Sequence, residues 1–189
     1  MAAAVVGVAD AWAYVPPFRG TKAAVRRAIV AYELVPAPVW PAGQEISERF
    51  STPERAALQA AYVNRLTACS TGEALRKSRT MDYARALLTY GRRSDGAVIV
   101  AARGDIVYYD FLSRRRNGDL VVRAAVRHVF TEGQWDPQRR SLTGRRVTAV
   151  PKAVIMEFTM HKEDGVWKVA ENVGWRFLSI PTGRITDEP

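Results

Sequence analysis

Phe158-Thr159-Met160-His161-Lys162-Glu163-Asp164-Gly165-Val166-Trp167-Lys168-Val169-Ala170-Glu171-Asn172-Val173-Gly174-Trp175 is two alternating apolar/polar runs around one Asp-Gly pair. Such a pair between alternating runs signals a two-residue hairpin turn, because both central residues need positive φ and these types adopt it at least cost. Residues opposed across that turn share a face. One face then carries Val154, Met156, Phe158, Met160, Trp167, Val169, Glu171, Val173, Trp175 and Phe177. The other carries Ile155, Glu157, Thr159, His161, Lys168, Asn172 and Arg176. The first is the core face, and Glu171 is its one carboxylate.

The same period extends upstream. Asn117-Gly118 predicts a second hairpin between strands over 106–116 and 119–131. Its more apolar face holds Val107, Tyr109, Phe111, Leu120, Val122, Ala124, Val126, His128 and Phe130. The opposite face holds Ile106, Tyr108, Asp110, Leu112, Arg114, Arg123, Arg127 and Val129. Asp110 among those arginines reads as an ordinary surface ion cluster. A further strand is expected over 97–102, after a turn at Asp95-Gly96 and before a turn at Arg103-Gly104-Asp105. Residues 132–146 read as a polar loop, and strands are expected over 147–162 and 166–178.

Before residue 92 the period is that of helices. Val25, Ala28, Ile29 and Tyr32 make a stripe on a helix over 22–34, with Thr21 placed to cap it. Ser51-Thr52-Pro53-Glu54 is a capping box with proline in the first turn. Leu58, Tyr62 and Leu66 follow at helical spacing. Ser70-Thr71-Gly72 interrupts this helix, and a last one is expected over 81–92. Helices first and an antiparallel sheet afterwards is the α+β class. Residues 1–50 read as a Pro-punctuated arm with one short helix, 51–178 as the domain and 179–189 as a tail.

Composition sets limits on function. The chain has 189 residues and a formal charge of +9, with 28 Lys+Arg against 19 Asp+Glu. Most of the basic residues are arginine, a bias that GC-rich coding sequence produces. One cysteine, Cys69, and two histidines, His128 and His161, exclude a disulfide scaffold and a Cys/His metal cluster. There is no Gly-rich phosphate loop, nucleophile elbow or zinc-protease helix. Neither a cofactor nor a metal is expected. Nucleic acid is not the expected partner, since the Arg123/Arg127 face lacks the interleaved aromatics of a base-stacking platform. The apolar residues 1–18 lack a basic leader, and Asp10 splits a run already too short to span a bilayer. They are expected to pack on the core or on a partner. The alternative is the continuation of a membrane anchor, and hence an envelope rather than a cytoplasmic setting.

Each hairpin puts one ionisable group on its apolar face: His128 and Glu171. A carboxyl group in apolar surroundings has a raised pKa and can exchange protons with an imidazole near it. The same placement is also that of a buried structural hydrogen bond, or of a bulge that turns Glu171 out to solvent. The Met156/Phe158/Met160/Trp167/Trp175 stripe has the composition of a hydrophobic ligand box and equally that of a core.

The element order, with the Asp164-Gly165-Val166-Trp167-Lys168-Val169 turn before the last strand, resembles the nuclear transport factor two-like superfamily over residues 51–178. The resemblance implies a cone: helices packed into a curved four- to five-stranded antiparallel sheet, with a pocket between them. The superfamily holds pocket enzymes, such as ketosteroid isomerase and polyketide cyclases, and non-enzymatic binding or assembly domains. By that resemblance His128, Glu171 and Tyr109 are the candidate catalytic residues. The arm and the scarcity of inward polar groups favour a binding domain for a protein partner or a small hydrophobic ligand. Self-association is expected through the sheet's open face, at Tyr108, Ile106, Leu112, Val129 and Ile155, unless Trp12, Tyr14 and Phe18 fold back over it.

Overall fold

The computed structural model describes residues 20–41, 49–92, 96–136, 138, 141–150 and 152–181, with backbone alone for 141 and 175–181. The expectations for Trp12, Tyr14, Phe18 and the tail beyond 181 lie outside the described residues, as does the side chain of Trp175. Four helices come first: α1 (Thr21–Leu34), α2 (Thr52–Cys69), α3 (Gly72–Ser78) and α4 (Tyr83–Tyr90). Five strands follow: β1 (Ala97–Arg114), β2 (Leu120–Asp136), β3 (Ser141–Ala149), β4 (Lys152–Glu163) and β5 (Val166–Pro181). The sheet is antiparallel, curved and open, in the order β1-β2-β4-β5, with β3 also on β2. This is the expected α+β architecture.

β3 and β4 form nearly one strand. Both run antiparallel along β2, with Ala149 opposite Val129 and Ile155 opposite Ala125. β3 ends at Ala149 and β4 begins at Lys152. The polar loop expected over 132–146 is therefore shorter: β2 continues to Asp136 and β3 begins at Ser141.

The strands bulge, and the bulges correct several facings. β1 runs unbroken through Arg103-Gly104-Asp105, where a turn was expected. Its register against β2 slips between Ile99 and Ala101, between Ile106 and Tyr108, and between Phe111 and Ser113. The slip at Val107 turns Ile106 toward the core and leaves Val107 exposed. Each bulge adds one residue and bends the strand, which suits a sheet that must wrap helices. The first hairpin closes with three residues between Arg115 and Asp119 rather than two: the Arg115 N–H donates to the Asp119 carbonyl at 2.8 Å, the Gly118 N–H to that of Arg115 at 3.0 Å, and Gly118 takes φ +90. The second hairpin has the expected two-residue turn, with φ +49 at Asp164 and +82 at Gly165.

The helix expected in the arm is a core element. Val25 and Ile29 of α1 are fully buried, and Tyr32 meets Phe158 edge-on at 6.5 Å between ring centroids. The N-cap of α1 is Gly20, with no side-chain cap, so the role assigned to Thr21 is not taken. At α2 the capping box forms: Glu54 accepts from the Ser51 N–H at 2.7 Å. α2 ends at Ser70-Thr71-Gly72 as expected, and the Thr71 N–H donates to the Val169 carbonyl at 2.9 Å, which ties the α2–α3 junction to β5.

Close approach of α1 depends on Gly104. Gly104 pairs with His128 on β2, and a Cβ there would sit 2.9 Å from Val126 Cγ1 and 3.1 Å from Val30 Cγ1. Gly104→Val favours the strand by propensity but drives two methyl groups into α1. The expected cost is about 1–3 kcal/mol, read as a fall in thermal midpoint of roughly 2–4 °C for each kcal/mol. An unchanged midpoint in a circular-dichroism melt refutes this packing.

Candidate functional site

Tyr32 and Glu33 occupy the last turn of α1. Tyr32 continues the apolar stripe. Glu33 lies four residues after Ile29, so helical spacing puts its carboxyl on the buried side as well. They border a half-open cleft of about 260 Å³ with Pro36, Tyr62, Leu66, Ser78, Met81 and Asn172 among its walls.

Most polar groups of the cleft are held by one another. Tyr32 Oη donates to Asn172 Oδ1 at 3.1 Å and lies 3.1 Å from Ser78 Oγ. Tyr62 Oη donates to the Ser78 carbonyl at 2.7 Å. Burial raises the pKa of both phenols, that of Tyr62 to about 12. These bonds join α1, α2, β5 and the end of α3. At the rim, Lys77 pairs with Glu73 at 3.3 Å.

Glu33 has no hydrogen-bond partner among the described residues. The His128 imidazole lies opposite it, with Nε2 at 3.9 Å from Oε2, too long for a hydrogen bond. His128 Nε2 is itself buried and unpartnered. Burial raises the Glu33 carboxyl to about 7 and lowers the His128 imidazole below its usual 6.5. Near neutral pH a carboxyl close to its own midpoint thus faces a neutral imidazole at the cleft's edge. Such a pair can take up or release a proton, and it can donate to or accept from a bound molecule.

The sequence placed Glu171 beside His128, and the structure does not. Glu171 pairs with Thr159, Asn172 with Phe158 and Val169 with Met160. Ala170 is therefore an extra residue in β5, and beyond it the facing inverts. Asn172 takes the inner position and Glu171 the outer one. Tyr109 is buried under the Lys22 and Arg26 cations, at 5.9 and 5.8 Å from its ring centroid, with its pKa raised by burial. It pairs with Ala124, four residues from His128 along β2, or roughly 13 Å at strand rise. The three proposed catalytic residues therefore do not converge.

Of the proposed ligand stripe, Phe158 and Met160 are fully buried and Met156 packs on the same core. Trp167 lies at the hairpin end of the molecule, away from Glu33. On the outer face Val129 is already buried and Ile106 points inward, which shrinks the surface expected for self-association. Asp110 pairs directly with Arg123 in the ladder, Arg123 also reaches Glu157 at 3.3 Å, and Arg127 reaches Asp105 at 2.9 Å. Cys69 is buried with its thiol raised to about 11, so it is not a nucleophile at neutral pH. Among the described residues no three potential ligands gather for a metal, and no helix is long and apolar enough to cross a membrane.

No family model and no curated protein matches the chain. Among solved structures it is similar to the intermembrane space region of the chloroplast protein ARC6, over 65% of this chain and 85% of that one, at 14% identity and a TM-score of 0.31.

The Glu33–His128 pair has a pH signature. A carboxyl raised from 4.5 to about 7 in the folded state stabilises the fold fully below pH 4.5, and that contribution is lost as pH rises through 7. His128, lowered below 6.5, acts oppositely: its contribution is lost as pH falls. Glu33→Gln fixes the neutral form. It should leave thermal stability near wild type at pH 5 and raise it at pH 8 by up to about 3 kcal/mol, the equivalent of the shift at about 1.4 kcal/mol per unit. Parallel melting curves across pH 5–8 contradict the buried acid.

Proposed function

We propose that this chain is a non-enzymatic binding domain of the nuclear transport factor two-like type. Its cleft takes a small apolar molecule, or an apolar side chain of a protein partner, that carries one hydrogen-bonding group for Glu33. The observation that supports this is the pairing of an unpartnered carboxyl with an open cleft whose other inward polar groups already satisfy one another. A ligand needs to meet only one demanding group, and Leu66, Met81, Pro36 and the Tyr62 ring receive the rest. The volume of about 260 Å³ sits just below the roughly 300–1,000 Å³ of drug-sized sites, which argues for a small ligand. The core beneath is filled by Phe158 and Met160, so the cleft does not deepen into a cone-length cavity.

A second reading has its own support. A carboxyl with pKa about 7 in a cleft suits general acid–base work at neutral pH. In that reading the chain is an isomerase or dehydratase of the same superfamily. Glu33 would exchange the proton and His128 would tune it, in place of the expected His128/Glu171 pair.

A thermal-shift screen of small alcohols, amides and amines with hydrocarbon bodies separates the two. A ligand at one hundred times its Kd stabilises by about 2.7 kcal/mol, a rise of roughly 5–10 °C for a chain of this size. Met81→Trp, which fills the cleft, should abolish the rise, and no ligand should be converted. Turnover that Glu33→Gln removes while binding persists would establish the enzyme instead. A screen in which nothing raises the wild-type midpoint rejects both.

A further inference from the structure

The hydrogen bonds around the Glu33 cleft run in one direction. Tyr32, Tyr62, Ser78 and Thr80 each bring a hydroxyl to its border. A hydroxyl has one proton to give. Tyr32 Oη gives its proton to Asn172 Oδ1 at 3.1 Å, so in the 3.1 Å contact between Tyr32 Oη and Ser78 Oγ the serine is the donor. Tyr62 Oη donates to the Ser78 carbonyl at 2.7 Å, and Thr80 Oγ1 to the Lys77 carbonyl at 2.9 Å. All of these protons are taken by the protein itself. What the hydroxyls keep for a ligand is lone pairs.

Glu33 adds two more acceptors. It has no hydrogen bond among the described residues, and its side chain keeps 20% of its surface, so a bound molecule can meet it. The His128 ring opposite it is held toward the neutral form by burial and brings no competing cation. Few donors remain. Asn172 keeps its amide N–H groups. Lys77 stands at the rim with its side chain 58% exposed, paired with Glu73 and screened by water.

Helix ends act in the same sense. α1 ends one residue beyond Glu33, and α3 ends at Ser78, so both helices bring their last turns to the cleft. The carbonyls of a helix C-terminus carry partial negative charge and favour a cation within about one turn.

We propose that the ligand of this cleft is a small primary amine, bound as its ammonium ion. The inference rests on the cleft being a binding site, as proposed above, and names the class of molecule it takes. An ammonium group has three donors and no acceptor, which matches a wall of acceptors. Its bond to the Glu33 carboxylate is charge-assisted, among the stronger hydrogen bonds. Pro36, Leu66 and Met81 receive the hydrocarbon body. An alcohol offers the same wall a single proton. A carboxylate or phosphate offers lone pairs to lone pairs.

The test is a titration of the full chain with cyclohexylamine, cyclohexanol and cyclohexanecarboxylate at constant ionic strength and pH 8. At that pH Glu33, raised to about 7, is mostly ionised, and an alkylamine with a pKa near that of lysine, about 10.4, is still protonated. Binding is read in the methyl and histidine-ring nuclear magnetic resonance spectra. The Met81 methyl and His128 ring signals should shift and saturate together. The amine should bind roughly tenfold or more tightly than the alcohol, as a hydrogen bond to a charged group gives, and the carboxylate most weakly. Glu33→Gln keeps the shape and removes the charge. It should abolish the preference for the amine while the alcohol still binds, with the melting temperature as the folding control. Equal affinity for amine and alcohol, or a preference that Glu33→Gln leaves intact, overturns the ammonium ligand and leaves the cleft standing as a binding site. Shifts that rise linearly for all three probes, or saturable binding that survives Met81→Trp, overturn the cleft itself and the ammonium ligand with it.

Discussion

The structure depends on one close approach, that of α1 to the bare backbone of Gly104 on the inner face of the sheet. A helix lying across a curved sheet must bury a stripe without leaving a gap, because a void forfeits dispersion contacts on both sides. Val25, Ile29 and Tyr32 supply the stripe, and Gly104 lets Val30 and Leu34 come down to the strand. The same approach brings the last turn of α1 over β2, and so places Glu33 against His128. The cleft and the buried acid therefore follow from how deeply the helix sits.

Bulges decide which polar groups reach that interior. Strand facing alternates with period two, so one extra residue exchanges every side chain beyond it. At Ala170 the exchange brings Asn172 inward, where its amide oxygen accepts the Tyr32 hydroxyl, and turns Glu171 outward. At Val107 it brings Ile106 inward. A strictly regular sheet would have put Glu171 on the inner face beside Phe158. The bulge replaces a costly buried charge with an amide whose oxygen accepts from Tyr32 on α1.

The fold was legible where local chemistry is strong. Asp164-Gly165 turned where expected, the Ser51/Glu54 box started α2, and the change of period separated helices from sheet. The site was only half legible. The alternation put His128 on the face where its Nε2 is buried, 3.9 Å from Glu33, but a partner was sought for it on the neighbouring hairpin. Register beyond a turn is set by bulges, and these are fixed by long-range packing that no local pattern reports. Glu33 did carry a signal: it is the one carboxyl at helical spacing from Val25 and Ile29. The serine at 78 and the phenol of Tyr62 had none, since their roles depend on how α2 and α3 meet α1.

The two ends of α1 are electrostatically unlike, and the residues around them follow that difference. Carbonyls at a helix C-terminus present partial negative charge. Glu33 lies in the last turn, where that field adds to burial in favouring the neutral acid. Partial positive charge gathers at the other end, yet the first turns of α1 carry no acid and do carry Lys22, Arg26 and Arg27. Cations there are disfavoured by the helix's own field. The Tyr109 ring under Lys22 and Arg26 offsets part of that cost, and it also explains why this phenol is a packing group rather than a proton donor. Near that end the buried carboxylate of Asp119 is engaged by Asn117 and His161 rather than by the helix.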